Sequence, residues 1–78
     1  MADIPELVRY IAEALTDQPE AIAVSETRDG RTATVHLEVA PDDMGRIIGR
    51  EGRVANAIRS VLKAAADDEA RWRLEIVD

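Results

Sequence analysis

The sequence predicts an α+β domain in which three helices cover one face of a three-stranded sheet, in the order α-β-β-α-α-β. Three segments carry apolar residues at the spacing of a helix with one buried face. Other segments alternate apolar and polar residues, as half-buried strands do. Glycine-containing turns separate the first two strands and the last two helices. We expect residues 1–78 to form one domain of this class, because this length suffices for a single core.

The first helix is predicted to begin after Asp3, a favourable N-cap residue, with Glu6 three residues later completing a capping box. The apolar residues of this segment share one helical face: Ile4, Leu7, Val8, Ile11 and Leu15. Pro19 disfavours helix at Gln18, so the helix ends before that residue. We expect this helix to cover the sheet and to have no chemistry of its own.

A hairpin is predicted next, with strands over residues 21–28 and 32–39. Asp29-Gly30 favours a type I′ turn, which requires positive φ at both central residues. The second strand has four apolar residues on its buried face: Ala33, Val35, Leu37 and Val39. His36 falls on the polar face, so we interpret it as a solvated residue rather than a ligand or a base.

The second helix is predicted to begin at Pro41-Asp42-Asp43, where acidic residues suit the positive end of the helix dipole. Met44, Ile47 and Ile48 form its apolar stripe. After two turns, Gly49 is expected to end the helix in the left-handed conformation.

The third helix is predicted to run from Gly52 to about residue 66, with a buried face formed by Val54, Ile58, Val61, Leu62 and Ala65. Its many alanines leave a smooth flank that could pack against a partner. We expect an acidic loop at Asp67-Asp68-Glu69, and a last strand in which Trp72, Leu74 and Ile76 alternate with polar residues.

The composition argues against several classes of protein. Without cysteine the chain has no disulfide framework, thiolate metal site or thiol nucleophile, which suits a reducing cytoplasm. No 18-residue apolar run is present, and residues 1–6 lack the features of a secretory signal. The glycine spacing matches neither a Walker A loop nor a dinucleotide fingerprint, and His36 is the only histidine that could serve a serine as base. We therefore expect no enzyme activity, cofactor, metal, small-molecule substrate or membrane association.

Basic residues concentrate around the glycine turn between the second and third helices. Residues 44–66 contain five basic residues and one acidic residue, whereas the rest of the chain contains five basic and 15 acidic residues. Free N–H groups and the dipole at the start of the third helix favour an anion, and Gly52 lets a ligand backbone approach them. This combination indicates a phosphate-binding loop for a nucleic-acid backbone. The net charge of −6 predicts weak non-specific affinity.

The segment 43–59, with its run Ile47-Ile48-Gly49-Arg50-Glu51-Gly52-Arg53, resembles the core of a KH domain. The order of elements is similar to that of the small bacterial, type II KH proteins. This resemblance implies a Gly-x-x-Gly loop that holds the backbone of about four single-stranded nucleotides, with the bases in a shallow apolar groove.

Carried onto this sequence, the resemblance implies the following RNA-binding residues: Arg46, Ile47, Ile48, Gly49, Arg50, Glu51, Gly52, Arg53 and Val54. It places the second strand, with Leu37 and Val39, near the groove. It also implies a cytoplasmic protein that forms homodimers or pairs with the larger, multidomain KH protein KhpB. The implied roles lie in RNA-level control of cell growth and envelope synthesis.

Two residues depart from the family pattern. Glu51 stands where small bacterial KH proteins usually carry a neutral residue, and Asn56 where a basic residue is common. A carboxylate beside a phosphate is repulsive unless it turns away or pairs with Arg50 or Arg53. We therefore expect weak RNA binding by one domain, strengthened by dimerisation. The alternative is a protein-interaction subunit with a KH fold and little RNA affinity.

Overall fold

The computed structural model describes residues 3–65 and 71–77. The helices and strands follow the predicted order: α1 (Ile4–Leu15), β1 (Ala23–Asp29), β2 (Thr32–Glu38), α2 (Met44–Ile48), α3 (Arg53–Ala65) and β3 (Arg71–Ile76). Short 3-10 turns cover Pro19–Ala21, Pro41–Asp43 and Arg50–Gly52. The α+β class is confirmed. The predicted acidic loop at Asp67-Asp68-Glu69 lies outside the described residues. Among the helices of residues 3–65 and 71–77, we find none with the length and apolar character of a membrane span.

The sheet has the order β1-β2-β3, with β2 in the centre. β2 is antiparallel to β1 and parallel to β3. Because parallel neighbours need a crossover connection, the chain between β2 and β3 passes over one face of the sheet, and α2 and α3 form that crossover. The crossover brings the turn between α2 and α3 to the side of β3.

The core lies between the sheet and the three helices. α1 packs on β1 and β2, α3 packs on β3, and α2 packs against both other helices. The apolar side chains of β2 are buried against the helices, as the alternation predicted. Asp3 caps α1 by accepting a hydrogen bond from the backbone N–H of Glu6 at 3.2 Å.

The hairpin differs from its prediction in both its turn and its first residue. Asp29 pairs with Thr32, so Gly30 and Arg31 are the two central residues of the turn. Only Gly30 has a positive φ, 62°, which fits a type II′ turn rather than type I′. β1 begins at Ala23, because Pro19 starts a 3-10 turn that includes Ala21.

Three apolar side chains that were predicted to lie on buried helix faces are exposed instead: Leu15 at the end of α1, Ile48 and Val61. Ile47 is 0% exposed and anchors α2 in the core, whereas Ile48 is 37% exposed. Consecutive helical residues point about 100° apart, so the five-residue helix α2 buries Ile47 and directs Ile48 outwards. In α3, Ile58 and Leu62 occupy the buried stripe, which leaves Val61 at its margin and 42% exposed.

Asp43 has a different role from the one predicted. It was expected to favour the helix dipole, but its carboxylate is 1% exposed and turned towards the connection after α1. It accepts hydrogen bonds from the backbone N–H groups of Asp17 at 3.2 Å and Gln18 at 3.1 Å. A buried carboxylate needs such partners, so Asp43 holds the start of α2 against the end of α1.

Candidate nucleic-acid interface

The loop Gly49–Gly52, here called the clamp loop, reverses the chain between α2 and α3 with an unusual backbone. φ is 76° at Gly49, 57° at Glu51 and 76° at Gly52. Gly49 combines its φ with a ψ of 173°, a region that is essentially restricted to glycine. Its positive φ was expected, but the conformation is not the left-handed helical one. The loop is therefore a tight reversal in which Gly49 cannot be replaced without strain.

The two glycines have different surroundings. A Cβ added to Gly49 would lie 2.5 Å from Val54 Cγ2 and 2.8 Å from Val54 N, closer than real Cβ contacts. A Cβ added to Gly52 would have Asn56 Nδ2, at 3.9 Å, as its nearest neighbour. Gly49 thus allows the first turn of α3 to pack directly on the loop backbone, whereas Gly52 leaves open space in front of the loop.

Glu51 occupies a positive-φ conformation that costs a non-glycine residue on the order of 1 kcal/mol. Its side chain is exposed, as are those of Arg50 and Arg53. Within residues 3–65 and 71–77, none of these three residues takes part in an ion pair. The carboxylate of Glu51 therefore does not neutralise the neighbouring guanidiniums in this part of the chain.

Two consecutive backbone N–H groups of the clamp loop are available to a ligand. The N–H of Gly49 donates to Gly45 O at 2.8 Å, and that of Gly52 donates to Gly49 O at 3.2 Å. The N–H groups of Arg50 and Glu51 take part in no hydrogen bond to the described residues. Adjacent free N–H groups at an exposed loop favour an anion such as a phosphate.

A groove of about 510 Å³ lies beside the clamp loop. Its lining, which defines the groove, comprises Ile48, Gly52, Ala55 and Arg59 from the helical side and Thr34, Arg73, Leu74, Glu75 and Ile76 from the sheet. The sheet side of the groove is therefore formed mainly by β3. Leu37 and Val39, which the resemblance places near the groove, are buried in the core, and β2 contributes Thr34 to the lining instead.

The residues predicted for the site divide between the surface and the core. Ile48 and Gly52 line the groove, and Arg50, Glu51 and Arg53 are exposed beside it. Ile47 is fully buried, so its side chain supports the groove from below and is not accessible to a ligand. Val54 is half-buried and packs against the core.

The guanidinium of Arg46 forms ion pairs with two carboxylates. Its Nη1 atom lies 2.5 Å from Asp17 Oδ2 and 3.3 Å from Asp43 Oδ1. The hydrogen bond from Arg46 to Asp17 and the charge of Asp17 raise the pKa of the guanidinium above its ordinary value. Arg46 therefore joins α2 to the connection after α1, and its predicted contact with phosphate stays a prediction.

Arg59 is a groove residue that the sequence reasoning missed. Its Nη2 atom donates to the carbonyl oxygen of Leu74 at 3.4 Å, and its Nη1 atom donates to Asn56 Oδ1 at 3.3 Å. These contacts hold a guanidinium across the groove from α3 to β3. The spacing of Gly52, Ala55 and Arg59 along one helical face was a signal that could have identified it.

The edge of β3 that faces the groove presents free backbone groups. The N–H of Arg71 donates to Arg31 O at 2.7 Å and that of Val77 donates to Leu37 O at 2.8 Å, so the odd-numbered residues bond towards β2. The N–H and C=O groups of Leu74 and Ile76 consequently point to the open edge, and Leu74 O meets Arg59 there. Such an edge offers donors and acceptors to a ligand in the groove.

The α-β-β-α-α-β order, the parallel pairing of β2 with β3 and the glycine loop between α2 and α3 define a type II KH fold. The family model described as KhpA/KhpB, KH domain, matches residues 5–76, and the chain belongs to this family.

Similar proteins cover nearly the whole chain. A protein of Halalkalibacterium halodurans named RNA-binding protein KhpA is 51% identical over 73 residues, which are 92% of this chain and 96% of that protein. Proteins with the same name from Caldanaerobacter subterraneus and Treponema pallidum are 48% identical over 73 residues and 40% identical over 74 residues. These alignments cover 92% and 94% of this chain, and 97% and 92% of the two proteins. No solved structure gives a significant match.

The two loop glycines should differ in their response to alanine. We expect Gly49→Ala to lower the free energy of unfolding by about 3 kcal/mol or more, because backbone strain adds to the clash with Val54. Gly52→Ala should cost only about 1 kcal/mol, since its added methyl group meets open space. Gly45→Ala in α2 is the control and should be neutral or stabilise by up to about 1 kcal/mol. Urea unfolding measures all three, and equal losses at Gly49 and Gly52 would contradict the packing assigned to Gly49.

Proposed function

We propose that this protein is a non-catalytic, single-stranded RNA-binding module that acts in post-transcriptional regulation in the cytoplasm. The observation that carries the proposal is the set of phosphate-binding groups beside the groove. The free N–H groups of Arg50 and Glu51 lie next to the guanidiniums of Arg50 and Arg53 on an exposed loop. Phosphates are recognised by this combination of oriented backbone donors and arginine forks. The name RNA-binding protein KhpA of the similar proteins supports RNA as the nucleic acid.

The groove beside the clamp loop suits bases more than backbone. Ile48 and Ile76 supply apolar surface, while the open edge of β3 supplies N–H and C=O groups for the edges of bases. Arg59 adds a planar guanidinium, which binds bases by stacking or by paired hydrogen bonds. An RNA strand whose phosphates contact the clamp loop and whose bases lie in this groove would occupy the site with about four nucleotides.

Affinity is expected to be weak for one domain. Glu51 and the net charge of −6 oppose a polyanion. A second RNA-binding domain would raise the apparent affinity through effective concentration. We therefore propose that the protein works as a homodimer or with KhpB.

The exposed side of α3 provides a surface for such a partner. Ala57, Val61 and Ala64 lie at spacings of four and three residues, so they share one helical face, and all three are exposed. Small side chains around a larger apolar one allow a second helix to pack closely. This stripe includes two alanines of the smooth flank that the sequence predicted, whereas Val61 was predicted to be buried.

The dimer surface proposed on α3 can be tested by introducing a charged side chain at Val61. We expect Val61→Glu to abolish dimers measured by light scattering, because dimerisation would bury the new carboxylate without a partner. The variant should remain folded, since Val61 lies at the margin of the core. Ser60→Glu is the matched control, with the same charge at a neighbouring exposed position, and should leave dimers intact. Dimers that survive Val61→Glu would place the partner surface elsewhere.

Charge reversal in the clamp loop tests RNA binding directly. We expect Arg50→Asp/Glu51→Asp, which keeps both glycines, to weaken binding of a labelled single-stranded RNA pool at least tenfold in fluorescence anisotropy. The native protein should show a salt slope of about −0.7 per neutralised phosphate. Arg31→Asp introduces the same charge change in the hairpin turn and should change affinity by less than about threefold.

A second candidate function is favoured by Glu51 and the acidic net charge: a protein-interaction subunit with little affinity for RNA. It predicts that the native chain forms dimers yet binds no RNA in the same titration, even at low salt.

The clamp-loop test has one further contradicting outcome. Equal weakening by Arg50→Asp/Glu51→Asp and by Arg31→Asp would contradict the clamp loop as the site, because net charge alone would then explain the loss.

A further inference from the structure

The groove continues past the edge of β3. Side chains alternate along a strand, so Leu74 and Ile76 face the helices whereas Arg73 and Glu75 face the opposite side of the sheet. Thr34 is paired with Arg73 and shares its face. All of these residues line the groove. The groove therefore passes over the free edge of β3 onto the face of the sheet that the helices leave uncovered, here called the open face.

The open face has three rows of side chains that cross all three strands. From the pairing of the strands these rows are Asp29–Thr32–Arg71, Thr27–Thr34–Arg73 and Ser25–His36–Glu75. The first and third rows each contain a carboxylate. The middle row contains two hydroxyl groups and a guanidinium, without a carboxylate. It is also the row whose residues Thr34 and Arg73 line the groove.

Arg73 is available to a ligand in this position. Its side chain is exposed, and no ion pair within the described part of the chain involves it. Thr34 lies beside it, and the next hydroxyl, that of Thr27, is 3.0 Å from His36 Nε2. A guanidinium next to a hydroxyl group binds a phosphate through a charge-assisted hydrogen bond and a neutral one.

We propose that Arg73 and Thr34 form a second phosphate-binding position, on which single-stranded RNA continues after it passes the edge of β3. This inference rests on the proposed function, and it extends the footprint beyond the nucleotides held by the clamp loop and the groove. The carboxylates of Asp29 and Glu75 flank the middle row and repel a polyanion, so they confine the RNA to it. Arg73 is thus a determinant of footprint length.

Two oligonucleotides of different length distinguish RNA contact at Arg73 from contact at the clamp loop and the helical side of the groove. We expect Arg73→Gln to weaken binding of a ten-nucleotide single-stranded RNA by about three- to tenfold and to reduce the magnitude of its salt slope by about 0.7, the loss of one phosphate contact. A four-nucleotide RNA of matched composition should bind unchanged. Arg71→Gln is the matched control: it removes the same charge on the same face of β3, two residues away and outside the groove, and should affect neither oligonucleotide by more than about twofold.

The outcomes separate this inference from the proposed function. If native protein binds both oligonucleotides equally well, or if Arg73→Gln and Arg71→Gln weaken the longer one equally, the second phosphate position is overturned while the proposed function stands. Equal loss of both lengths in Arg73→Gln also overturns it, because Arg73 would then contact the nucleotides held by the clamp loop and the helical side of the groove. If native protein binds neither length, the proposed function fails and this inference fails with it.

Discussion

The arrangement of the site depends on one steric contact, the packing of Val54 on the backbone of Gly49. With no room for a Cβ between them, the first turn of α3 lies directly on the end of α2. This approach fixes the reversal of the chain and leaves the N–H groups of Arg50 and Glu51 without a hydrogen bond to the described residues. It also sets α3 alongside β3, which creates the groove and brings Arg59 to the carbonyl oxygen of Leu74. The steric requirement at Gly49 is thus the origin of both the clamp loop and the groove.

The short helix α2 could not hold this geometry by its own stability, because five residues are far below the length at which isolated helices form. Two buried side chains, four residues apart, anchor it. Ile47 fixes it to the core, and Asp43 fixes its start to the end of α1 through backbone hydrogen bonds. Arg46 reinforces the second contact by pairing with Asp17 and Asp43. The groups proposed to bind phosphate therefore stand on a helix that is anchored to the core and to the connection after α1.

Local patterns predicted the fold and the clamp loop but not how distant residues meet. Periodicity identified the helices and strands, since burial of one face imposes it on the sequence. It could not distinguish Ile47 from Ile48, because only the packing of α2 decides which of two adjacent apolar residues faces the core. The role of β3 in the groove depends on the parallel crossover, which no local pattern encodes. The backbone partners of Asp43 likewise come from the distant connection after α1.

RNA binding by the clamp loop is tested most directly by titrating ¹⁵N-labelled protein with a short single-stranded RNA and following the amide chemical shifts. We expect the largest changes at the amides of Arg50 and Glu51, whose N–H groups would bind phosphate, with further changes at Leu74 and Ile76 on the open edge of β3. The amides of α1 and of the hairpin turn should change little. Changes confined to α1 or the hairpin turn, with the clamp loop unaffected, would contradict the claim that this loop binds RNA.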